Sequence, residues 1–127
     1  MTSELFTVYG SGSGTGAMDL QSDIFHGTVN SIRIPKGMKL KVWARRAIAD
    51  GAGTIEIQFT HDVTAGTPTW VTISKVVFTA AGEQDLTLYK RPIKVMGYSG
   101  KEAVRAYVSS GSGSYSIELD VEITDGD

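Results

Sequence analysis

The segment SYSIELDVEIT, residues 114–124, alternates polar and apolar side chains without interruption. Successive side chains of an extended strand point to opposite faces, so its apolar residues would all lie on one face. A helix would instead scatter them around its whole circumference. The segment therefore predicts a β-strand with one buried face and one solvated face.

The same period of two recurs elsewhere in the chain. In MKLKVWA, residues 38–44, alternate positions from Met38 onward are apolar, and Lys39, Lys41 and Trp43 fall on the opposite face. TIEIQFT, residues 54–60, repeats the pattern, and clusters of Gly, Pro, Asp and Ser separate the candidate strands. Weaker strand candidates occupy residues 5–9, 24–34, 69–78, 84–89, 93–98 and 104–109. We predict an all-β protein, a single antiparallel β-sandwich of about eight strands, jelly-roll-like, with an immunoglobulin-like sandwich as the alternative.

A Gly- and Ser-rich segment, GSGSGTGAMDLQSD, occupies residues 10–23 and has no hydrophobic period. Such a segment is either a flexible linker or a stretch that orders against a partner. We therefore expect residues 1–23 to form an N-terminal arm and residues 24–127 the β-sandwich domain. The arm would contact a partner through its apolar residues, which are Leu5, Phe6, Val8, Tyr9, Met18 and Leu20. The alternative is an ordinary first strand followed by a long surface loop.

Composition excludes several classes of protein. The chain has 127 residues, 41% hydrophobic and 20% charged, as expected for one globular domain. A formal net charge of -2 gives no long-range attraction to nucleic acid, and the absence of cysteine excludes disulfides and thiolate metal sites. No stretch is long and apolar enough for a membrane-spanning helix, and the first residues do not resemble a signal peptide. We expect no nucleic-acid partner, no membrane partner and no signal peptide.

Residue types that carry catalysis are sparse. The two histidines, His26 and His61, are too few for a typical zinc site. Asp62 follows His61 at a strand end, where an Asp commonly bonds the backbone of its own turn. The glycines of residues 10–16 are followed by no predicted helix and by no Gly-Lys-Ser or Gly-Lys-Thr triplet, which argues against a phosphate-binding loop. We expect no catalytic residue, no metal site and no cofactor, and therefore a protein that is not an enzyme.

Charge is distributed unevenly. Residues 33–46 contain six basic and no acidic residues, whereas residues 111–127 contain five acidic and no basic residues. Such segments pair across a sheet or between copies in an oligomer. Nucleic-acid binding, with Trp43 as a stacking platform, is the alternative for the basic segment, but the basic total is low. The basic strand also supplies candidate partner contacts, namely Lys39, Lys41, Trp43 and Arg45.

Exposed aromatic residues are a further candidate feature, because they form sugar-binding platforms and protein interface hot spots. The sequence alone does not show which of them share a face. The candidates are Trp43, Trp70, Tyr89, Tyr98 and Tyr107.

Three consecutive segments resemble β-sandwich modules of tailed-phage structural proteins. They are GTIEIQFTHD at residues 53–62, TWVTI at 69–73 and FTAAGE at 78–83, and LYKRPI at 88–93 and AVRAYV at 103–108 complete the likeness. The combination spans residues 33–124 and is similar to small head decoration (cement) proteins, although carbohydrate-binding modules share several pieces of it.

The resemblance implies a non-enzymatic virion structural protein. Such a protein is made in the host cytoplasm, docks on the outside of a phage capsid and stabilises it. Its partners would be the major capsid protein and further copies of itself, most often in a homotrimer. The alternative function is a carbohydrate- or receptor-binding β-sandwich module, possibly of a phage tail.

Overall fold

A computed structural model describes residues 3–25, 27–86 and 92–125, and this part of the chain consists of strands and turns. Its strands are β1 (Ser3–Ser13), β2 (Gly16–Ala17), β3 (Asp19–Gln21), β4 (Ile32–Arg33), β5 (Met38–Ala49), β6 (Gly53–Thr60), β7 (Val71–Phe78), β8 (Gly82–Asp85), β9 (Ile93–Met96), β10 (Ala103–Ser110) and β11 (Ser114–Asp125). The described ranges contain no helix long and apolar enough to cross a membrane. The all-β prediction is confirmed.

The strands form two antiparallel sheets that pack against each other. The first sheet has the order β3-β1-β11-β5-β8, with β9 also paired to β5. The second sheet has the order β2-β10-β6-β7, with β4 also paired to β10. β8 and β9 pair with successive parts of β5, and β2 and β4 with successive parts of β10, so each pair acts as one interrupted strand.

Pairing between the strands is nested in the manner of a jelly roll. When β2 and β4 count as one strand and β8 and β9 as another, the described chain has eight strands besides β3. The outermost pair in sequence is β1 with β11, and the next is β2 and β4 with β10. These enclose the pairing of β5 with β8 and β9, and the innermost pair is β6 with β7. β3 is an additional strand at the edge of the first sheet. This nesting is that of two Greek keys wound into a sandwich, which agrees with the jelly-roll prediction over the immunoglobulin-like alternative.

The core lies between the two sheets and is lined by the alternating apolar residues. Along β11, Tyr115, Ile117, Leu119 and Val121 are buried, as the alternation of residues 114–124 predicts. In β5 the alternation shifts at a β-bulge, where Leu119 pairs with Ala44 but Glu118 pairs with Arg46. The bulge places Arg45 as an extra residue in the strand and returns the later alanines of β5 to the core.

The described part of the N-terminal segment, residues 3–23, is built into the sandwich and does not form a separate arm. β1 pairs with β11 along its whole length and lies between β3 and β11. A Cβ at Gly10 would approach Ile117 Cγ2 to 2.9 Å and Leu20 Cδ2 to 3.2 Å, so glycine permits close packing here. The glycines that suggested a linker therefore belong to a strand, which corrects the arm interpretation and the division at residue 23.

Candidate binding surfaces

Six of the predicted contact residues come together on one surface, the outer face of the first sheet. Cross-strand register aligns Leu5 with Glu122 and Lys41, and Tyr9 with Glu118 and Arg46. We call this surface the charged face. The predicted contact residues on it are Leu5, Tyr9, Lys39, Lys41, Trp43 and Arg45.

Opposite charges on β5 and β11 form a ladder of ion pairs across the charged face. Lys41 Nζ lies 3.8 Å from Glu122 Oε1, and Arg45 Nε lies 3.5 Å from Asp120 Oδ2. The basic segment thus pairs with the acidic one within a single protomer, which is the first of the two pairings expected from the sequence. Because the side chains are partly exposed, these pairs contribute little to stability, and their main effect is to fix the charge pattern of the surface.

Arg46 joins three strands at one end of the ladder. Its Nη2 donates to Glu118 Oε1 at 2.8 Å and its Nη1 to Glu83 Oε1 at 3.0 Å, so it links β5 with β11 and β8. The hydrogen bond to Glu118, the nearby negative charge of Glu118 and the Glu83 contact raise the pKa of Arg46 above its ordinary value. Arg46 therefore stays charged and holds both carboxylates in place.

Large apolar side chains lie among these paired charges. Leu5 is 67% exposed and Tyr9 is 54% exposed on β1, and Ile48 on β5 is 38% exposed. Trp43 is partly exposed beside Asp120, its partner in the register. Aromatic residues and arginine on a flat, partly apolar surface are the composition of protein interface hot spots.

Three of the remaining four predicted contact residues are buried, and the fourth is partly buried. Val8, Met18 and Leu20 have no exposed area and form part of the core. Phe6 is partly buried and packs edge-to-face on Phe25, with ring centroids 6.0 Å apart. Val8, Met18 and Leu20 therefore pack inside the sandwich in this structure, and Phe6 keeps part of its surface exposed.

A second cluster lies on the outer face of the second sheet. It joins two aromatic candidates from the sequence, Trp70 and Tyr107, with polar residues that the sequence did not single out. The guanidinium carbon of Arg105 lies 4.0 Å from the Trp70 ring centroid and 4.4 Å from that of Tyr107. Arg105 Nε donates to Gln58 Oε1 at 2.8 Å, and Gln58 Nε2 donates to Glu56 Oε1 at 3.2 Å. We call these five residues, Glu56, Gln58, Trp70, Arg105 and Tyr107, the arginine–aromatic cluster.

The charges of the arginine–aromatic cluster are fixed by neighbouring groups. Hydrogen bonds from the hydroxyls of Ser109 and Thr72 lower the pKa of Glu56, which therefore stays ionised. Burial lowers the pKa of Arg105, although an arginine remains protonated at neutral pH. Trp70 and Tyr107 were candidates from their residue type alone. The polar members become visible only when strand register places Arg105 opposite Gln58.

The other aromatic and histidine candidates lie apart from this cluster. Trp43 is on the opposite sheet, Tyr98 is 73% exposed in a turn, and Tyr89 lies outside the described residues. Asp62 accepts hydrogen bonds from the backbone amide and the hydroxyl of Thr64, which confirms the turn interpretation. The ring of His61 packs edge-to-face on Phe59, and His26 lies outside the described residues.

Neither metal-ligand geometry nor comparison with known proteins points to a function for these surfaces. Among the described residues, no three His, Cys, Asp or Glu side chains are grouped so that they could hold a metal ion. No protein-family model matches the sequence, and the search of curated proteins finds no match.

Proposed function

We propose that the protein is a non-enzymatic virion structural protein of a tailed phage, which binds the outer surface of the capsid and stabilises it. The observation that supports this most is the charged face. It combines a sheet surface that carries exposed Leu5 and Tyr9, a partly exposed Trp43 and a ladder of ion pairs.

The ion pairs of the charged face are compatible with burial of this surface on binding. Charges that must find new partners on binding pay a large desolvation cost, whereas charges already paired within the protomer keep their partners when water leaves. Arg46 illustrates this, because both of its carboxylate contacts are made within the chain. The apolar residues between the pairs would then supply the binding energy, and the charge pattern would select the partner.

Stabilisation of the capsid would follow from binding to the assembled state alone. A ligand that binds one state and not another shifts the equilibrium toward the state it binds. Jelly rolls recur among viral capsid proteins, so the fold is compatible with this role. The protein would be made in the host cytoplasm and would reach the capsid surface after the shell has formed.

We also propose that copies of the chain associate with each other, with a trimer favoured. β7 is the edge strand of the second sheet in the described part of the chain, and its Val71, Ile73 and Val77 are 52%, 38% and 56% exposed. An apolar edge strand readily pairs with another chain unless it is covered. Contact between copies at β7 would cover it and would leave the charged face free for the capsid.

A co-sedimentation assay with purified capsids that lack this protein tests the proposal. We expect the wild-type protein to sediment with the capsids, and the double variant Leu5→Ala/Trp43→Ala to bind at least about tenfold more weakly, since hot-spot truncations commonly cost that much. Arg105→Ala, on the opposite sheet, is the matched control and should bind like wild type. Equal binding of the double variant, or failure of the wild type to sediment, would reject the proposal.

The alternative function, a carbohydrate- or receptor-binding module, concerns a different surface. Its support is the arginine–aromatic cluster, where Trp70 and Tyr107 flank Arg105 on the second sheet. The two functions therefore rest on opposite faces of the molecule and are separable by mutation.

A further inference from the structure

Arg105 is an ordered cation without a carboxylate partner in the described part of the chain. Lys41, Arg45 and Arg46 form the ion pairs there, all on the charged face. Arg105 instead donates from Nε to the neutral amide of Gln58. Its two terminal amino groups make no hydrogen bond to another described residue. Their N–H groups therefore remain as donors for a ligand.

The guanidinium is held in one orientation before any ligand arrives. Gln58 is only 8% exposed, and its side chain is fixed at both ends, by Arg105 and by Glu56. The guanidinium carbon lies over the Trp70 ring, 4.0 Å from its centroid, and over the Tyr107 ring, 4.4 Å from its centroid. A planar guanidinium that is already oriented loses little entropy when it binds a carboxylate through two parallel hydrogen bonds.

The groups around Arg105 limit the classes of ligand that the cluster could bind. Trp70 and Tyr107 are both partly exposed, and the guanidinium covers part of each ring, so the rest of each ring offers an apolar surface that matches the C–H faces of sugar rings. The Tyr107 hydroxyl can donate and accept hydrogen bonds. The ionised Glu56 is a hydrogen-bond acceptor suited to sugar hydroxyls and disfavours a ligand with dense negative charge. A nucleic-acid backbone needs several cations for its phosphates, whereas this cluster contains one arginine and the chain has a net charge of -2.

We infer that the arginine–aromatic cluster binds an acidic polysaccharide, with Arg105 holding a sugar carboxylate and with Trp70 and Tyr107 packing on the sugar rings. Glu56 and Gln58 orient the arginine and accept or donate hydrogen bonds to ring hydroxyls. The site lies on the second sheet, opposite the charged face, and does not depend on capsid binding.

An array of uronate-containing, sialylated and neutral glycans tests the inference with the full-length protein. We expect binding to be confined to acidic glycans. The affinity for the best acidic glycan, measured by tryptophan fluorescence, should fall at least about tenfold in Arg105→Ala, since hydrogen bonds to a charged group are worth that much. Arg105→Lys keeps the charge but not the fork and should also bind more weakly. Trp43→Ala, on the other sheet, should bind like wild type.

Further measurements show whether a variant loses glycan binding because the site has changed or because the protein no longer folds. They also keep this test independent of the capsid proposal. Thermal unfolding identifies any variant that does not fold, and Tyr107→Phe provides a milder change in the same cluster, expected to weaken binding. Binding to none of the acidic glycans, equal binding to neutral ones, or unchanged affinity in Arg105→Lys and Tyr107→Phe would overturn the inference. Capsid binding by Arg105→Ala is measured independently, so either proposal can fail alone.

Discussion

At the residue scale, a buried carboxylate fixes the turn between β9 and β10. Glu102 is 3% exposed and accepts hydrogen bonds from the Tyr98 amide at 3.0 Å, the Ser99 amide at 3.2 Å and the Ser99 hydroxyl at 3.1 Å. Burial alone would raise the pKa of Glu102. The hydrogen bonds from its own amide and from those of Ser99 and Tyr98 outweigh this and lower the pKa to about 2 from the ordinary 4.5.

This carboxylate predicts how stability depends on pH. Because the pKa of Glu102 is lower in the folded state, its contribution is complete above pH 4.5 and is lost as the pH falls toward 2. Glu102→Gln replaces one acceptor oxygen by a donor that faces backbone amides. We expect it to lower the free energy of unfolding by about 1–3 kcal/mol at pH 7. Urea unfolding at pH 7 and near pH 2 should show this difference shrinking at the lower pH.

The control for this experiment is Glu122→Gln, which changes a carboxylate on the charged face. Its partner Lys41 is 3.8 Å away and both side chains are partly exposed, so only a small change is expected. A loss of stability in Glu102→Gln that stays the same from pH 7 to pH 2 would contradict the assignment.

A buried tyrosine joins two turns at one end of the sandwich. Tyr115 is 2% exposed, its hydroxyl donates to Ala52 O at 2.7 Å, and it accepts from the Gly113 amide at 3.2 Å. Gly111 has φ +117°, and a Cβ there would overlap this hydroxyl, so glycine is required at that position. Gly111 and Gly113 lie within four residues of Tyr115 in the sequence, whereas Ala52 and Gly53 reach the same hydroxyl only through the fold.

Removal of that hydroxyl should destabilise the fold without changing its shape. We expect Tyr115→Phe to lower the free energy of unfolding by about 1–3 kcal/mol, because two partly buried hydrogen bonds to backbone groups are lost. Tyr98→Phe is the matched control, since Tyr98 is 73% exposed. Urea unfolding followed by tryptophan fluorescence measures both, and equal stability of the two variants would show that the Tyr115 hydroxyl does not hold the turns.

At the element scale, β1 is an internal strand of the first sheet. It has hydrogen-bonded neighbours on both sides, and the following strand β3 carries Leu20 into the core. Deletion of residues 1–20 would therefore remove a central strand as well as buried side chains. We therefore expect such a truncation not to leave a folded sandwich.

Two leucines of the same N-terminal segment provide a direct comparison. Leu20 has no exposed area, whereas Leu5 is 67% exposed. We expect Leu20→Ala to lower the free energy of unfolding by about 2–5 kcal/mol through the cavity it leaves. Leu5→Ala should change it by about 0.5 kcal/mol or less. Similar small effects of both variants in urea unfolding would show that the segment is not part of the fold.

The sequence predicts the faces of some strands well and those of others poorly, for a physical reason. In β5 and β11 apolar side chains occupy the inward positions, so alternation shows which face is buried. In β1 the inward positions include Gly10 and Gly12, which leave no apolar pattern to detect. A Cβ at Gly10 would meet Ile117 of β11 and Leu20 of β3, and a Cβ at Gly12 would meet Met18, so these glycines reflect close packing by residues outside β1.

The candidate surfaces were predictable only in part. Alternation places Lys41 and Trp43 on the outer face of β5, but the acidic partners on β11 follow from the register, which the sequence does not specify. The arginine–aromatic cluster joins residues up to 51 positions apart, from Glu56 to Tyr107, through neighbouring strands. Long-range pairing of this kind is a property of the fold and leaves no local pattern.

At the scale of the whole molecule, the jelly roll presents two outer sheet faces with different chemistry. The charged face carries paired charges and exposed apolar residues, and the opposite sheet carries a cation held between aromatic rings. Two faces on one rigid sandwich allow one to bind a capsid while the other stays free for an acidic polysaccharide. Both roles are proposals, and the capsid role is the one on which the cellular location depends.

Quantitative mass spectrometry of gradient-purified virus particles, from the source that encodes this chain, tests the capsid role most directly. The account predicts many copies per particle, in a fixed ratio to the major capsid protein, because every equivalent position on the shell would bind one oligomer. Absence of the chain from the particles would contradict the proposed function. A number far too small to cover equivalent capsid positions would also contradict it and would favour a location in the tail.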